Sequence, residues 1–208
     1  MYIELHARSA FSFLEGASTP EELIDICAAH GVPAMALLDR DGVYGSPRFH
    51  LAAVKKRSLR AHIGAEVTSD AGWRYSLLVE SREGYQNLCR LITRMKLRAR
   101  KGEGCIQPEE ISEIGSGLIC LTGGDEGPLT HSLAQGGIEM ATESVRQLCR
   151  AFGRENVYVE LQRHFCRDEE ARNQAAVEIA RKLKLPLLAT NGVSYALPRQ
   201  REVLDVFT

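Results

Sequence analysis

His6, Asp39 and Glu66 are an imidazole and two carboxylates, each at the end of an apolar run. Imidazole nitrogen and carboxylate oxygen together suit zinc, manganese or iron. Such groups meet in space only if the runs before them are strands whose ends converge. A lone histidine or aspartate closes many α/β strands, so these three alone fall short of defining a metal site. What the elements around them do decides how far the reading can go.

The hydrophobic pattern alternates short apolar runs with amphipathic helices. Strands are predicted at Tyr2–His6, Ala34–Leu38, His62–Thr68, Trp73–Val79, Gly117–Leu121, Val157–Leu161 and Pro186–Ala189. The Ser69–Gly72 turn makes the third and fourth a hairpin. Thr19, Pro20 and Glu22 carry the signature of a capping box opening a helix that Gly31 ends. Further helices are predicted at Pro47–Lys56, with Phe49, Leu51, Ala52 and Val54 inward, and at Arg82–Arg100, with Leu88, Leu91, Ile92, Met95 and Leu97 inward. Others follow at Pro108–Glu113, Pro128–Ala134, Ile138–Phe152 and Glu169–Lys184, and a last one begins near Pro198. About seven strands alternating with helices imply a mainly parallel α/β sheet, either doubly wound or closed as a distorted β/α barrel. In both, chemistry collects at the C-terminal strand ends, where His6, Asp39 and Glu66 stand.

Composition bounds the rest. The chain has 208 residues, 44% hydrophobic and 25% charged, which is one domain's worth of soluble core and excludes global disorder. A net charge of −1 gives no long-range field to attract nucleic acid. No apolar run approaches the ~20 residues that span a bilayer. The first residues lack the basic and apolar regions of a signal peptide, which predicts a cytoplasmic protein. Cys27, Cys89, Cys105, Cys120, Cys149 and Cys166 are scattered without a CxxC pair, as expected of free thiols in a reducing compartment.

The words around the three candidate residues are more specific. Glu4–Ser18 (ELHARSAFSFLEGAS) resembles the opening motif of the PHP domain (polymerase and histidinol phosphatase), in the form found at the N-terminus of bacterial C-family DNA polymerases. Asp39–Gly45, Ile63–Glu66, Arg82–Leu88, Leu121–Gly124, Val159–His164 and Leu188–Tyr195 are similar to six further landmarks of that family, in order. The phrasing of the first two is nearest the error-prone branch. The resemblance implies an α/β fold of the distorted (β/α)7 barrel type. It also implies that residues 1–208 form a single PHP domain, the N-terminal part of a longer polymerase.

Active members of the family hydrolyse phosphate esters with three metal ions, zinc, manganese or iron. Carried over by position, the ligand remnants here are His6, Glu15, Asp39 and Glu66. Arg8 and Arg40 replace two histidines. Gly124, Gly192 and Ser194 replace a cysteine, an aspartate and a histidine, and Tyr75 stands near a further histidine position. A guanidinium has no lone pair and stays protonated. At ~4 Å, even with an effective dielectric of ~20, it repels a unit charge by about 4 kcal/mol and a divalent ion by twice that. The expectation is a degenerate site without cofactor, in which Arg8 and Arg40 pair with Glu15, Asp39, Asp41 or Glu66. An arginine pocket for phosphate or DNA backbone is the competing use.

The resemblance thus predicts a catalytically inactive domain that supports a DNA-directed DNA polymerase in synthesis and repair. Its partner is the polymerase body of the same chain, with DNA indirectly and other replication or repair proteins beside it, and no membrane. The alternative is an active metal-dependent phosphoesterase, either a 3′–5′ exonuclease or a small-molecule phosphatase. Arg90, Arg94, Lys96, Arg98, Arg100 and Lys101 form a basic stretch that either contacts DNA or a neighbouring domain, or is a solvated helix end. His30, His50, His62 and His131 have no companion at ligand spacing. His164 and Cys166 make a weak pair that nothing in the sequence orients.

Overall fold

The Thr19 hydroxyl accepts the Glu22 N–H at 3.3 Å, and the Glu22 carboxylate accepts the Thr19 N–H at 2.8 Å. This reciprocal cap starts α1 (Pro20–Ala29), and the chain leaves it through His30 and a left-handed Gly31, φ 64°. The computed structural model describes residues 2–57, 59–167 and 169–207, so Met1, Ser58, Asp168 and Thr208 lie outside the described residues. The chain divides into two compact units, Met1–Glu66 with Thr190–Thr208, and Val67–Ala189.

The first unit holds α1, β1 (Ala34–Arg40), α2 (Ser46–Lys56), most of β2 (Arg60–Thr68) and α7 (Arg201–Phe207). β1 and β2 run parallel with Ala34 opposite Arg60 and Arg40 opposite Glu66. That register sets Arg40, at the end of β1, beside Glu66 in β2. The core beneath is Ala7, Leu23, Ile24, Met35, Leu37, Phe49, Ala53 and Leu59. α2 turns Phe49 and Ala53 inward, but Leu51 and Val54 are 59% and 58% exposed, against the predicted inward face. Positions 49 and 53 are one helical turn apart, and 51 and 54 fall on the other side.

The predicted strand at Tyr2–His6 is instead an extended segment with isolated bridges, Glu4 to Met35 and Ala7 to Val193. Its carbonyls at Glu4 and Ala7 accept from Ala36 and Leu38. Three steps on one chain thus oppose two on the other, and the extra residue breaks the ladder as a bulge does. On its far side, Arg8 and His6 exchange backbone bonds with Val193. The break turns the His6, Arg8 and Ser9 side chains into the unit.

The second unit holds β3 (Arg74–Val79), α3 (Arg82–Arg98), α4 (Pro108–Ile114), β4 (Leu118–Leu121), α5 (Pro128–Phe152), β5 (Val157–Gln162), α6 (Glu169–Leu183) and β6 (Leu187–Thr190), though Thr190 itself belongs to the first unit. Within this unit the strand order follows chain order, β3 to β6. β3 pairs antiparallel with β4, and β4 parallel with β5. The fold is mixed α/β as predicted, with six strands among the described residues where about seven were expected. The predicted pair of helices at 128–134 and 138–152 is present, the two halves of α5 being separated by non-helical Gly136 and Gly137. α3 buries Leu88, Leu91, Ile92 and Met95, but Leu97 is 83% exposed, because it lies two residues beyond Met95 and off that stripe.

Candidate functional site

Glu66 lies two residues before the end of β2, in the first unit, with 1% of its surface exposed. An isolated carboxylate there would be costly, and three donors answer it. Arg8 Nε donates to Oε2 at 2.6 Å, Arg8 Nη2 donates to Oε1 at 2.9 Å, and His6 Nε2 lies 2.8 Å from Oε1. A carboxylate bound to a guanidinium only accepts, so His6 Nε2 carries its proton towards Glu66. Burial alone pushes the Glu66 carboxyl up; the Arg8 charge and the His6 and Arg8 hydrogen bonds outweigh it and hold the group well below the usual carboxylate range.

The network runs outward with alternating charge. Arg8 Nη1 is 3.8 Å from Glu15 Oε2, Glu15 pairs with Arg40, and Arg40 Nε is 3.5 Å from Asp41 Oδ2. Asp39 is held by a backbone N–H and two hydroxyls. Its Oδ1 accepts from Ser9 N–H at 2.8 Å, Ser9 Oγ at 2.9 Å and Ser12 Oγ at 3.0 Å. Burial pushes Asp39 up, opposed by these bonds and by the Gly45 N–H, and the net shift is upward. Gly45 is required here, because a Cβ would collide with Asp39 Oδ2 and sit 3.0 Å from Ser9 Oγ. Every partner of Asp39 is a donor, so an amide at this position would turn its own NH2 towards donors. Asp39→Asn is therefore expected to lose about 1–2 kcal/mol despite removing a buried charge. A urea melt of the variant that matched the parent would contradict this.

Ser9, Ser12 and Glu4 were not singled out from sequence. Glu4 is 5% exposed and accepts from Tyr2 Oη at 2.6 Å, His6 N–H at 2.8 Å and Asn191 N–H at 2.9 Å. The available signal was an acid inside an apolar segment, two residues before His6.

Of the remaining expected site residues, Gly192 takes a left-handed φ of 58°, and the Ser194 carbonyl accepts the Ala17 N–H at 2.9 Å. Gly124 belongs to the second unit. A Cβ on it would collide with Gln162 Oε1, so the Gln162 carboxamide, itself bonded to Glu160 at 3.0 Å, fills that space. Tyr75 is buried and edge-on to Trp73. Glu169 supplies the orienting group that sequence reading did not find for His164. It lies 2.8 Å from His164 Nδ1 and accepts the His164 and Cys166 N–H groups.

In the basic stretch, Arg94 pairs with Glu113 at 2.8 Å, and Arg98 donates twice to Glu110, at 3.0 and 2.8 Å. Those two charges tie α3 to α4. Arg90 bonds Asn87 at 3.3 Å, Lys96 is half-buried, and Arg100 and Lys101 are exposed.

Among the described residues no three His, Cys, Asp or Glu side chains are grouped to hold a metal ion. The donors that the resemblance implies for a metal, His6 and Glu66, are engaged with each other and with Arg8. Both Glu66 oxygens accept from Arg8, and His6 Nε2 points its proton at Glu66 rather than a lone pair at a cation.

The model of the PHP domain matches residues 4–164. The chain belongs to the PHP domain family. Relatives of this PHP domain include an error-prone DNA polymerase from Mycolicibacterium paratuberculosis (strain ATCC BAA-968 / K-10), 36% identical over 97% of this chain and 20% of the relative. Another, from Anaeromyxobacter sp. (strain K), is 37% identical over 100% of this chain and 18% of its own length. The chain thus spans about a fifth of the curated relatives it matches. Two solved structures share its fold. One, from Bifidobacterium adolescentis, is provisionally described as a metal-dependent phosphoesterase, with TM-score 0.59 and 12% identity over 99% of this chain and 96% of that one. The other is an amidohydrolase from Chromobacterium violaceum with bound sulfate and no metal, with TM-score 0.60 and 13% identity over 100% and 97%. The PHP-type α/β fold expected from sequence is the fold of this chain. No helix among the described residues is long and apolar enough to cross a membrane.

Proposed function

We propose that this PHP domain is a catalytically inactive, structural module of a bacterial error-prone DNA polymerase, with its former metal pocket filled by ion pairs. The observation that carries this reading is the two-bond grip of Arg8 on Glu66. A general phosphoesterase of this family needs carboxylate and imidazole lone pairs directed at cations. Here the Glu66 lone pairs accept hydrogen bonds from a guanidinium, and the His6 imidazole is committed as a donor. Nucleotide transfer belongs, on this reading, to the parts of the relatives that this chain does not span. The domain serves the polymerase body of the same chain, with DNA reached indirectly.

The competing reading is a working 3′–5′ exonuclease or phosphatase. The two separate in an assay of the purified chain with p-nitrophenyl phosphate and with a 3′-labelled single-stranded oligonucleotide, each with added manganese or zinc. No turnover above the metal-and-buffer control is expected. Metal-dependent turnover that EDTA abolishes would establish the enzyme instead.

A further inference from the structure

We infer that the second unit self-associates, the Phe165 turn of one copy entering a cleft lined by Trp73 and Tyr75 in a second copy. Both features belong to the second unit.

Phe165 stands between β5 and α6 with 89% of its surface exposed. Its φ is 63°, a left-handed conformation that is costly for a bulky side chain. The turn is nevertheless fixed from both sides by one carboxylate. Glu169, buried at the start of α6, accepts the His164 N–H at 2.7 Å and the Cys166 N–H at 3.0 Å, and lies 2.8 Å from His164 Nδ1. A strained, pinned turn that holds a phenylalanine in water is built as an interface anchor is, since aromatic anchors carry much of the energy of protein contacts. Arg163 and Arg167 flank the ring, and both are exposed. Arg163 pairs with Glu170, whereas Arg167 has no ion pair among the described residues.

The cleft lies between α4 and α5 and has a volume of about 470 Å³, within the range of about 300–1,000 Å³ usual for binding pockets. It is lined by Trp73 and Tyr75, edge-on to each other, and by Pro108, Ile111, Pro128 and Leu148. Its charged residues are Glu109 and Arg150. Arg150 is already paired with Glu143 at 2.9 Å, while Glu109 is exposed and has no ion pair among the described residues. The cleft therefore offers an apolar, aromatic lining and one carboxylate that is not neutralised. An aromatic ring flanked by guanidinium groups complements it in both respects. The Phe165 ring is exposed and so is not seated in the cleft of its own chain; a second copy brings ring and cleft together.

The test follows sedimentation velocity and tryptophan emission of the purified chain from low to high micromolar concentration. Trp73 is the only tryptophan, so the emission reports on the cleft directly. Mean mass should rise with concentration, and the emission should change with it. Phe165→Ala, which removes an exposed ring and leaves the turn, should weaken association by about tenfold or more. Gln147→Arg, a change at an exposed position of the cleft, should do the same by crowding it with a cation. Phe165→Ala keeps an open cleft and Gln147→Arg keeps the ring, so a mixture of the two should form a complex that neither forms alone. Should circular dichroism show Gln147→Arg to be misfolded, Glu109→Lys takes its place. A parent that stays monomeric at every concentration overturns the proposal. So does association that survives Phe165→Ala, or a mixture that associates no better than its parts.

Discussion

Arg8→Ala is expected to destabilise the first unit by about 3–5 kcal/mol, because it strips the main counter-charge from a buried carboxylate. For a chain of this size that corresponds to a fall in melting temperature of roughly 6–20 °C. The loss comes less from the missing attraction than from Glu66, which remains 1% exposed without the guanidinium that neutralises it. The pH dependence carries the signature. In the parent, burial raises the Glu66 carboxyl, and the Arg8 charge and hydrogen bonds more than reverse this, so its folded value lies below its unfolded one. That contribution to stability is complete above the unfolded carboxylate range, about pH 4.3, and is lost as pH falls towards the depressed folded value. Without Arg8, burial dominates and protonation of Glu66 relieves the strain. The stability gap between parent and variant should therefore narrow as pH is lowered from 7 to 4. Comparing the two chains cancels Asp39 and Glu4, whose upward shifts from burial work in the opposite sense. A gap that stays constant over this range would show that Glu66 does not carry the effect.

Gly84→Ala should cost about 2–3 kcal/mol net, although it replaces a poor helix former by the best. Gly84 lies in the first turn of α3, after the Ser81 cap that accepts its N–H at 3.1 Å. Propensity alone predicts a gain of about 1 kcal/mol. A Cβ there would collide with the Gly117 carbonyl oxygen and come within 2.5 Å of its carbon. The obstacle is backbone and cannot rotate aside. It is pinned besides, since the Gly117 carbonyl accepts the Glu80 N–H at 3.0 Å and Asn87 donates to the Ser116 carbonyl at 3.0 Å. Overpacking against fixed backbone lies at or beyond the upper end of about 1–3 kcal/mol, so it outweighs propensity. A chemical melt of Gly84→Ala as stable as the parent would mean that α3 can lift away from residue 117 at little cost.

Local chemistry was the readable part of the sequence. Thr19, Pro20 and Glu22 start α1 because all three act within one turn, and Gly136 with Gly137 breaks α5 as the two predicted helices require. The candidate site was legible in its members: His6 and Glu66 do meet, and Arg8 and Arg40 do pair with carboxylates. The choice of partner was not legible. Asp39 was an expected acceptor for an arginine, yet two hydroxyls from the Ser9–Ser12 turn reach it first, and no spacing rule announces a serine clamp. Apolar residues were also read too generously. Leu51, Val54 and Leu97 are apolar by type but lie off the stripe that packing selects, and a short helix with a mixed face does not reveal which side is down.

The Arg8–Glu66 pair also makes the two positions energetically dependent on each other. Arginine without the acid is a half-buried guanidinium lacking its main partner, and the acid without arginine is a buried carboxylate lacking its own. Each single change therefore passes through a state several kcal/mol worse than either end, while the paired change does not. Such a pair behaves as one heritable character. Once the guanidinium is in place, its loss alone is opposed by stability, whether or not any activity is under selection.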